Sequence, residues 1–263
     1  MLSPEARWFG WQIAELDPAT VYPMCNLGSG TAEFREQIQP WIDRYLFAPA
    51  RKREQAVVHV DIQDAPGVDL VGDLEDEAFL SKLVGMNFRS VFCSNLLEHV
   101  ADPKRMAARI LQIVPHGGCL FVSVPRRFPY HADPIDTMFR PHPAELAALF
   151  PGTRIERQAV VNGGTMLHYV AQRVRRPRML WRSIVRRVSS IWPSLLSLSR
   201  TNQASAICQH EPCSPPAPHG PDTREPSSHE SSLKTYIIWT FRSFQITCII
   251  LRKEAWPKVL PDL

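Results

Sequence analysis

Residues 21–32, VYPMCNLGSGTA, pass from an apolar run through a polar residue into two glycines one residue apart. This is the pattern of a strand, a sharp turn and the start of a helix. Without side chains, Gly28 and Gly30 let the backbone turn tightly and approach a ligand closely. Adenine dinucleotide folds use this geometry with the fingerprint G-x-G-x-x-G and an acid roughly 20 residues onward. Here Glu33 stands at the third glycine position, and the next acid at a strand end, Asp61, lies 31 residues beyond Gly30. Both features point away from a dinucleotide. A strand-to-helix turn with no ligand is the plain alternative.

Working outward, short apolar runs recur at Val21–Asn26, Val57–Asp61, Val68–Val71, Val91–Ser94 and Cys119–Val124. Continuous apolar runs suit strands covered on both faces, as in a parallel sheet. Helical patterns lie between them. In 103–114, Asp102 is the expected N-cap and Pro103 the first helical residue; Met106, Ile110 and Ile113 share one face, and Gly117–Gly118 stop the helix. Further helices are expected at 75–84 and 143–150. Strands are expected at 153–161 and 244–252, the second reading FQITCIILR. The alternation predicts an α/β, Rossmann-like doubly wound sheet. In such sheets ligands sit at the carboxyl ends of the strands. Asp61 ends the second strand there and can accept from both ribose hydroxyls. Asp73 follows the third strand and can accept from an adenine amino group. A solvated loop carboxylate is the alternative for each.

The ordered set NLGSGT, VHVDI, VGDLED, FCSNLLEHV and GGCLFVSVP resembles class I S-adenosylmethionine-dependent methyltransferases, in particular the small-molecule branch called type 11. The stretches YHADPIDTMFRPHPAELAALF and FQITCIILRKE are similar to segments of that group, the latter to its last, antiparallel strand. The resemblance implies a seven-stranded mixed sheet with S-adenosyl-L-methionine as cofactor. It implies that Asn26, Gly28, Ser29 and Gly30 line the methionine and ribose part, that Asp61 and Ile62 hold the ribose, and that Asp73 and Leu74 flank the adenine. Asn95 would lie beside the sulfonium and line the way to the substrate. Asn26 stands where the family usually has an acid, and Ala32 where it has a third small glycine.

Methyl transfer from a sulfonium is an in-line displacement in which the protein chiefly positions the reactants. An acceptor hydroxyl or amine can need a base, and histidine suits that near neutral pH. His99 and His131 are the candidate catalytic residues, with Asp133 and Asp136 near the second. Each is equally readable as a structural histidine bonded within the fold. Arg126, Arg127 and Arg140 can bind an acidic substrate group or simply face water. Glu98, His99, His131 and Asp133 lack a diagnostic metal spacing, and so does CQHEPC (208–213); no metal is assigned.

The domain is expected to span 1–172 and 243–263, with 173–242 as an insertion. Residues 173–200 hold eight arginines and no acid, so they carry +8 while the other residues sum to −4. Within them, 178–192 has the period of a basic amphipathic helix that can pack on the sheet, cover the site as a lid or touch an anionic membrane. The stretch 203–232, with six prolines, reads as a disordered loop and 233–241 as a short helix. A net charge of +4 does not call for nucleic acid. No signal peptide or 18-residue apolar span is visible. Cys25, Cys93, Cys119 and Cys248 sit in apolar runs, which suits a reducing, cytoplasmic setting. The expected partner is a small-molecule methyl acceptor or a glycan or lipid precursor, with membrane contact through 178–192 left open and the oligomeric state undetermined. A non-catalytic binding module and a nicotinamide oxidoreductase are the competing readings.

Overall fold

A computed structural model describes residues 1–131, 135–165 and 242–254. They belong to one unit of the chain, Met1–Thr165 with Arg242–Leu263. The expectations for the Arg-rich helix 178–192, the loop 203–232, the helix 233–241, the CQHEPC stretch and Asp133 lie outside the described residues. No helix among the described residues is long and apolar enough to cross a membrane.

Among the described residues seven strands form one sheet: β1 (Met24–Leu27), β2 (Val57–Asp61), β3 (Leu70–Val71), β4 (Ser90–Ser94), β5 (Cys119–Arg127), β6 (Thr153–Thr165) and β7 (Ser243–Lys253). Their order is β3-β2-β1-β4-β5-β7-β6. The first five run parallel, while β7 lies antiparallel between β5 and β6. This is the α/β doubly wound sheet with an antiparallel last strand. The chain leaves β1 toward β2 and then crosses to β4 on its other side. The crevice where strand order reverses therefore opens beyond β1 and β4, which is where open α/β sheets hold ligands.

Among the described residues six α-helices accompany the strands: α1 (Ser3–Ala14), α2 (Pro18–Val21), α3 (Ala48–Lys52), α4 (Glu77–Gly85), α5 (Pro103–Ile113) and α6 (Pro143–Ala147). On one face Cys25, Val91, Leu120 and Val122 pack with Leu80 and Leu83 of α4, Met106 and Ile110 of α5 and Leu146 of α6. The other face is aromatic. Phe9 of α1 meets Phe92 and Phe121 edge-on at 5.1 and 6.4 Å, and Phe47 meets Phe92 at 6.3 Å. Each fully buried ring of this kind contributes about 1.5–3 kcal/mol by leaving water. The four expected cysteines are buried and free; burial pushes the Cys25 thiol up to about 12.

The expected elements shift in instructive ways. Strand β1 starts at Met24 instead of Val21 because Asp17 caps a helical turn over Pro18–Val21, its Oδ1 accepting from the Ala19 N–H. Helix α1 was not expected at all. The helical start after the glycine turn is two π-helical turns, Phe34–Ile38 and Asp43–Phe47. Strand β3 is only two residues long, and β6 runs on to Thr165. Helix α5 is held at both ends: Asp102 Oδ1 accepts from the Arg105 N–H at 3.0 Å, and Lys253 Nζ donates to the Leu111 and Val114 carbonyls at 2.9 and 2.8 Å. Those carbonyls have no partner within the helix, so α5 is pinned to β7 and fixes the segment 95–99 that leads into it.

Candidate active site

The glycine turn forms as its sequence suggests. Gly28 and Gly30 both have φ of +61°, a region that side chains rarely adopt. A Cβ at Gly28 would stand 3.1 Å from Leu96 Cδ1. The turn after β1 therefore approaches the segment after β4, at the mouth of the crevice. The Asp61 carboxylate closes the turn: Oδ2 accepts from the Gly30 N–H at 2.8 Å and Oδ1 from the Gln63 N–H at 3.0 Å. The Gly72 N–H donates to the Asp61 carbonyl at 3.0 Å, which sets Asp73 one residue on, exposed, with Oδ1 accepting from the Glu75 N–H. Thus the turn and both acids share one rim of the sheet. Between them Ile62 is 65% exposed, an apolar surface beside Asp61. Leu74 is 8% exposed and its side chain packs into the core, so only its main chain faces this rim.

Asn26 of β1 and Ser29 of the turn both have partners within the fold. Ser29 is buried, its hydroxyl turned back to the Gly30 carbonyl. Asn26 is also buried, and its Nδ2 lies 2.9 Å from His59 Nδ1 on the neighbouring strand. Burial pulls His59 down to about 4, so its neutral ring accepts from the amide. Asn26 thus serves the contact between β1 and β2.

The sequence did not single out Arg35, the side chain that holds the turn. It is 4% exposed. Nη1 donates to the Ser29 and Gly30 carbonyls at 3.1 and 2.6 Å, and Nη2 to the Gly67 carbonyl at 2.7 Å. Beside it the Ala32 N–H donates to the Pro66 carbonyl. A Cβ at Gly67, whose φ is +86°, would sit 2.5 Å from Ala32 Cβ. The Ala32 methyl group is thus accommodated by a glycine across the loop. A buried arginine in a short polar stretch carries no sequence signal until its carbonyl partners are known.

Asn95 lies just past β4 with φ of +51°. Its Nδ2 donates to Glu5 Oε1 at 2.9 Å. Glu5, wholly buried on α1, takes Ser94 Oγ at 3.1 Å and Ser123 Oγ at 2.6 Å on the same oxygen, and the Leu2 N–H at 2.9 Å on the other. One carboxylate thereby ties α1 to the end of β4 and the middle of β5. It was missed because a glutamate early in an unrecognised helix looks like surface.

Next along the chain, Glu98 and His99 lie on a single 3-10 turn, Leu97–His99. Glu98 is fully buried and burial raises its carboxyl to about 8. Neither of its carboxylate oxygens has a hydrogen-bond partner among the described residues. His99 Nδ1 lies 2.6 Å from the Ile135 carbonyl, and its ring meets that of His131 at 5.0 Å, edge-on. His131 Nδ1 lies 3.1 Å from Asp136 Oδ2 and 3.2 Å from the Pro129 carbonyl. Burial lowers its pKa, against the opposing pull of the Pro129 carbonyl and Asp136. The two histidines named from sequence therefore meet. The arginines beside them are engaged within the fold: Arg140 Nη2 donates to Asp136 Oδ2 at 2.6 Å, Arg126 to the Arg140 carbonyl and to His142, and Arg127 to Gln245.

The rim suits an adenosyl ligand chemically. Glycines leave the approach open at two positive-φ positions, and an ionised carboxylate offers about four acceptor sites, of which two on Asp61 are taken.

No protein-family model matches the chain, and no curated protein matches it. Solved structures do. A SAM dependent methyltransferase from Archaeoglobus fulgidus is 13% identical with a TM-score of 0.44, over 94% of each chain. Coclaurine N-methyltransferase bound to N-methylheliamine and SAH is 11% identical with a TM-score of 0.42, over 92% of this chain and 70% of that one. The [4+2]-cyclase SpnF is 13% identical with a TM-score of 0.38, over 89% of this chain and 74% of that one.

Proposed function

We propose that the chain is an S-adenosylmethionine-dependent methyltransferase acting on a small molecule. The hydrogen bond from the Gly30 N–H to Asp61 Oδ2, 2.8 Å long, carries this reading, because it makes the glycine turn and the strand-end acid one unit. The two acceptor sites left on Asp61 match the two hydroxyls of a ribose. Exposed Ile62 offers an apolar seat for the adenine and Asp73 an acceptor for its amino group. The buried Glu5 carboxylate beneath Asn95 favours a cationic centre at that end of the crevice.

The cofactor, when bound, supplies an activated methyl group. The chain's own residues hold and orient. Asn95, anchored by Glu5, lines the path from the crevice. His99 and His131 each hold Nδ1 against an oxygen, which leaves Nε2 of each ring as the lone-pair nitrogen; that of His99 lies 3.6 Å from Glu98 Oε1. When no metal occupies those nitrogens, either can take a proton from an acceptor hydroxyl or amine. The engagement of Arg126 and Arg140 inside the fold argues against an anionic anchor at that loop. A glycan or lipid precursor remains within the acceptor class, with a cytoplasmic setting and peripheral membrane contact through 178–192.

Incubating the protein with S-adenosylmethionine labelled in the methyl group and a small-molecule extract tests the reading. Label in an extract component, lost in Asp61→Ala, supports it. Cofactor binding without transfer to any fraction favours the non-catalytic binding module.

A further inference from the structure

We infer that Glu98, His99 and His131 form a binding site for one divalent transition metal of the zinc class. One ligand atom from each of the three lies within 4.8 Å of the others, and His99 Nε2 is 3.6 Å from Glu98 Oε1. Two ligands on one tetrahedral zinc, each at 2.0–2.1 Å, are about 3.3 Å apart, so the trio is somewhat more open than a bound zinc requires.

Three independent features make this more than a cluster. First, the Glu98 carboxylate is completely buried and lacks any hydrogen-bond donor among the described residues. Burial of an unpaired carboxylate is costly and is relieved either by taking up a proton or by coordinating a cation; the two imidazoles beside Glu98 supply the further ligands that coordination needs. Second, both imidazoles are oriented from behind. His99 Nδ1 faces the Ile135 carbonyl and His131 Nδ1 faces Asp136, which is itself held by Arg140. Metal-bound histidines characteristically donate their other N–H to a carbonyl or carboxylate, which fixes the tautomer and aims the remaining nitrogen. Third, the supporting loop is stitched to the ligand: the Thr137 N–H and Oγ1 both donate to the Glu98 carbonyl, at 2.9 and 3.1 Å.

Two nitrogens and one carboxylate satisfy a borderline metal such as Zn²⁺ or Co²⁺ and leave a position open. Water or an oxygen or nitrogen of the acceptor takes that position, and the metal makes a bound hydroxyl more acidic. Only this last role rests on the methyltransferase reading; metal uptake does not.

The test titrates metal-free full-length protein with Co²⁺ and then Zn²⁺. A Cys208→Ser/Cys213→Ser background keeps other thiolates from contributing. One equivalent of Co²⁺ giving visible absorption of low-coordinate cobalt, displaced by Zn²⁺, is expected. Glu98→Gln and His131→Ala, both checked for wild-type circular dichroism, each weaken binding at least ~10-fold. The second variant lies on a half-exposed loop residue and keeps the test valid should the first misfold. Absence of stoichiometric uptake, or unchanged affinity in the folded variants, overturns the site. Metal uptake without S-adenosylmethionine binding keeps this site and rejects the methyltransferase; the converse rejects only the metal.

Discussion

Replacing Arg35 with methionine removes the side chain that holds the glycine turn while keeping its buried length. The guanidinium makes three contacts, but Nη1 is shared between the Ser29 and Gly30 carbonyls, so two well-formed bonds of 2.6 and 2.7 Å carry the effect. Bonds to a charged donor contribute about 1.5–3 kcal/mol each. The Gly67 carbonyl sits on an exposed residue, where water replaces the lost donor, whereas Gly30 is half-buried and the neighbouring Ser29 buried. The methionine also removes the cost of burying the cation, which already lowers the guanidinium pKa through desolvation. The net loss is about 2–4 kcal/mol. For a domain of this size that lowers the melting temperature by about 4–16 °C. Thermal unfolding by circular dichroism measures it, and calorimetric titration below the transition measures affinity for S-adenosylhomocysteine, expected at least ~10-fold weaker because the turn loses its fixed shape. Arg35→Lys, a point charge without the planar fork, should fall between. A methionine variant that melts with the wild type and binds with the same affinity would refute the reasoning.

Gly67→Ala should destabilise by about 1–3 kcal/mol, read by urea unfolding, because its Cβ meets Ala32 at 2.5 Å. Adding Ala32→Gly should recover part of this, leaving the positive-φ strain and the approach to the main chain of residue 32 at 2.9 and 3.0 Å. Glu5→Gln places an amide where three donors converge and should cost about 2–4 kcal/mol, read as a lower melting temperature. His59 has its folded pKa lowered to about 4 from 6.5, so the unfolded chain binds the proton more readily between those values. Its contribution is complete above about pH 6.5 and lost as pH falls through 4, at most about 3 kcal/mol. Denaturant titrations across that window should show a shallower decline in His59→Gln.

Apolar runs and capping signals made the sheet legible: β2, β4, β5 and β7 begin and end within a few residues of their sequence patterns, and Asp102 caps α5 as expected. The glycines and Asp61 were legible because their chemistry is local to a turn and a strand end. What stayed hidden depends on contacts distant in sequence. Glu5 reaches Ser123 across 118 residues and Arg35 reaches Gly67 across 32. For Asn26 the position on β1 was readable but the pairing with His59 was not. The meeting of His99 and His131 likewise depends on how the loop after β5 folds back to Glu98, where Thr137 makes the connection.

The account stands on a nucleoside seat built from Gly28, Gly30 and Asp61. Calorimetric titration of S-adenosylmethionine into wild type and Asp61→Ala tests it most directly. One site per chain in the wild type, lost in a variant with unchanged circular dichroism, is the predicted result. Equal affinity in both proteins, or preferential binding of NADH, would contradict it.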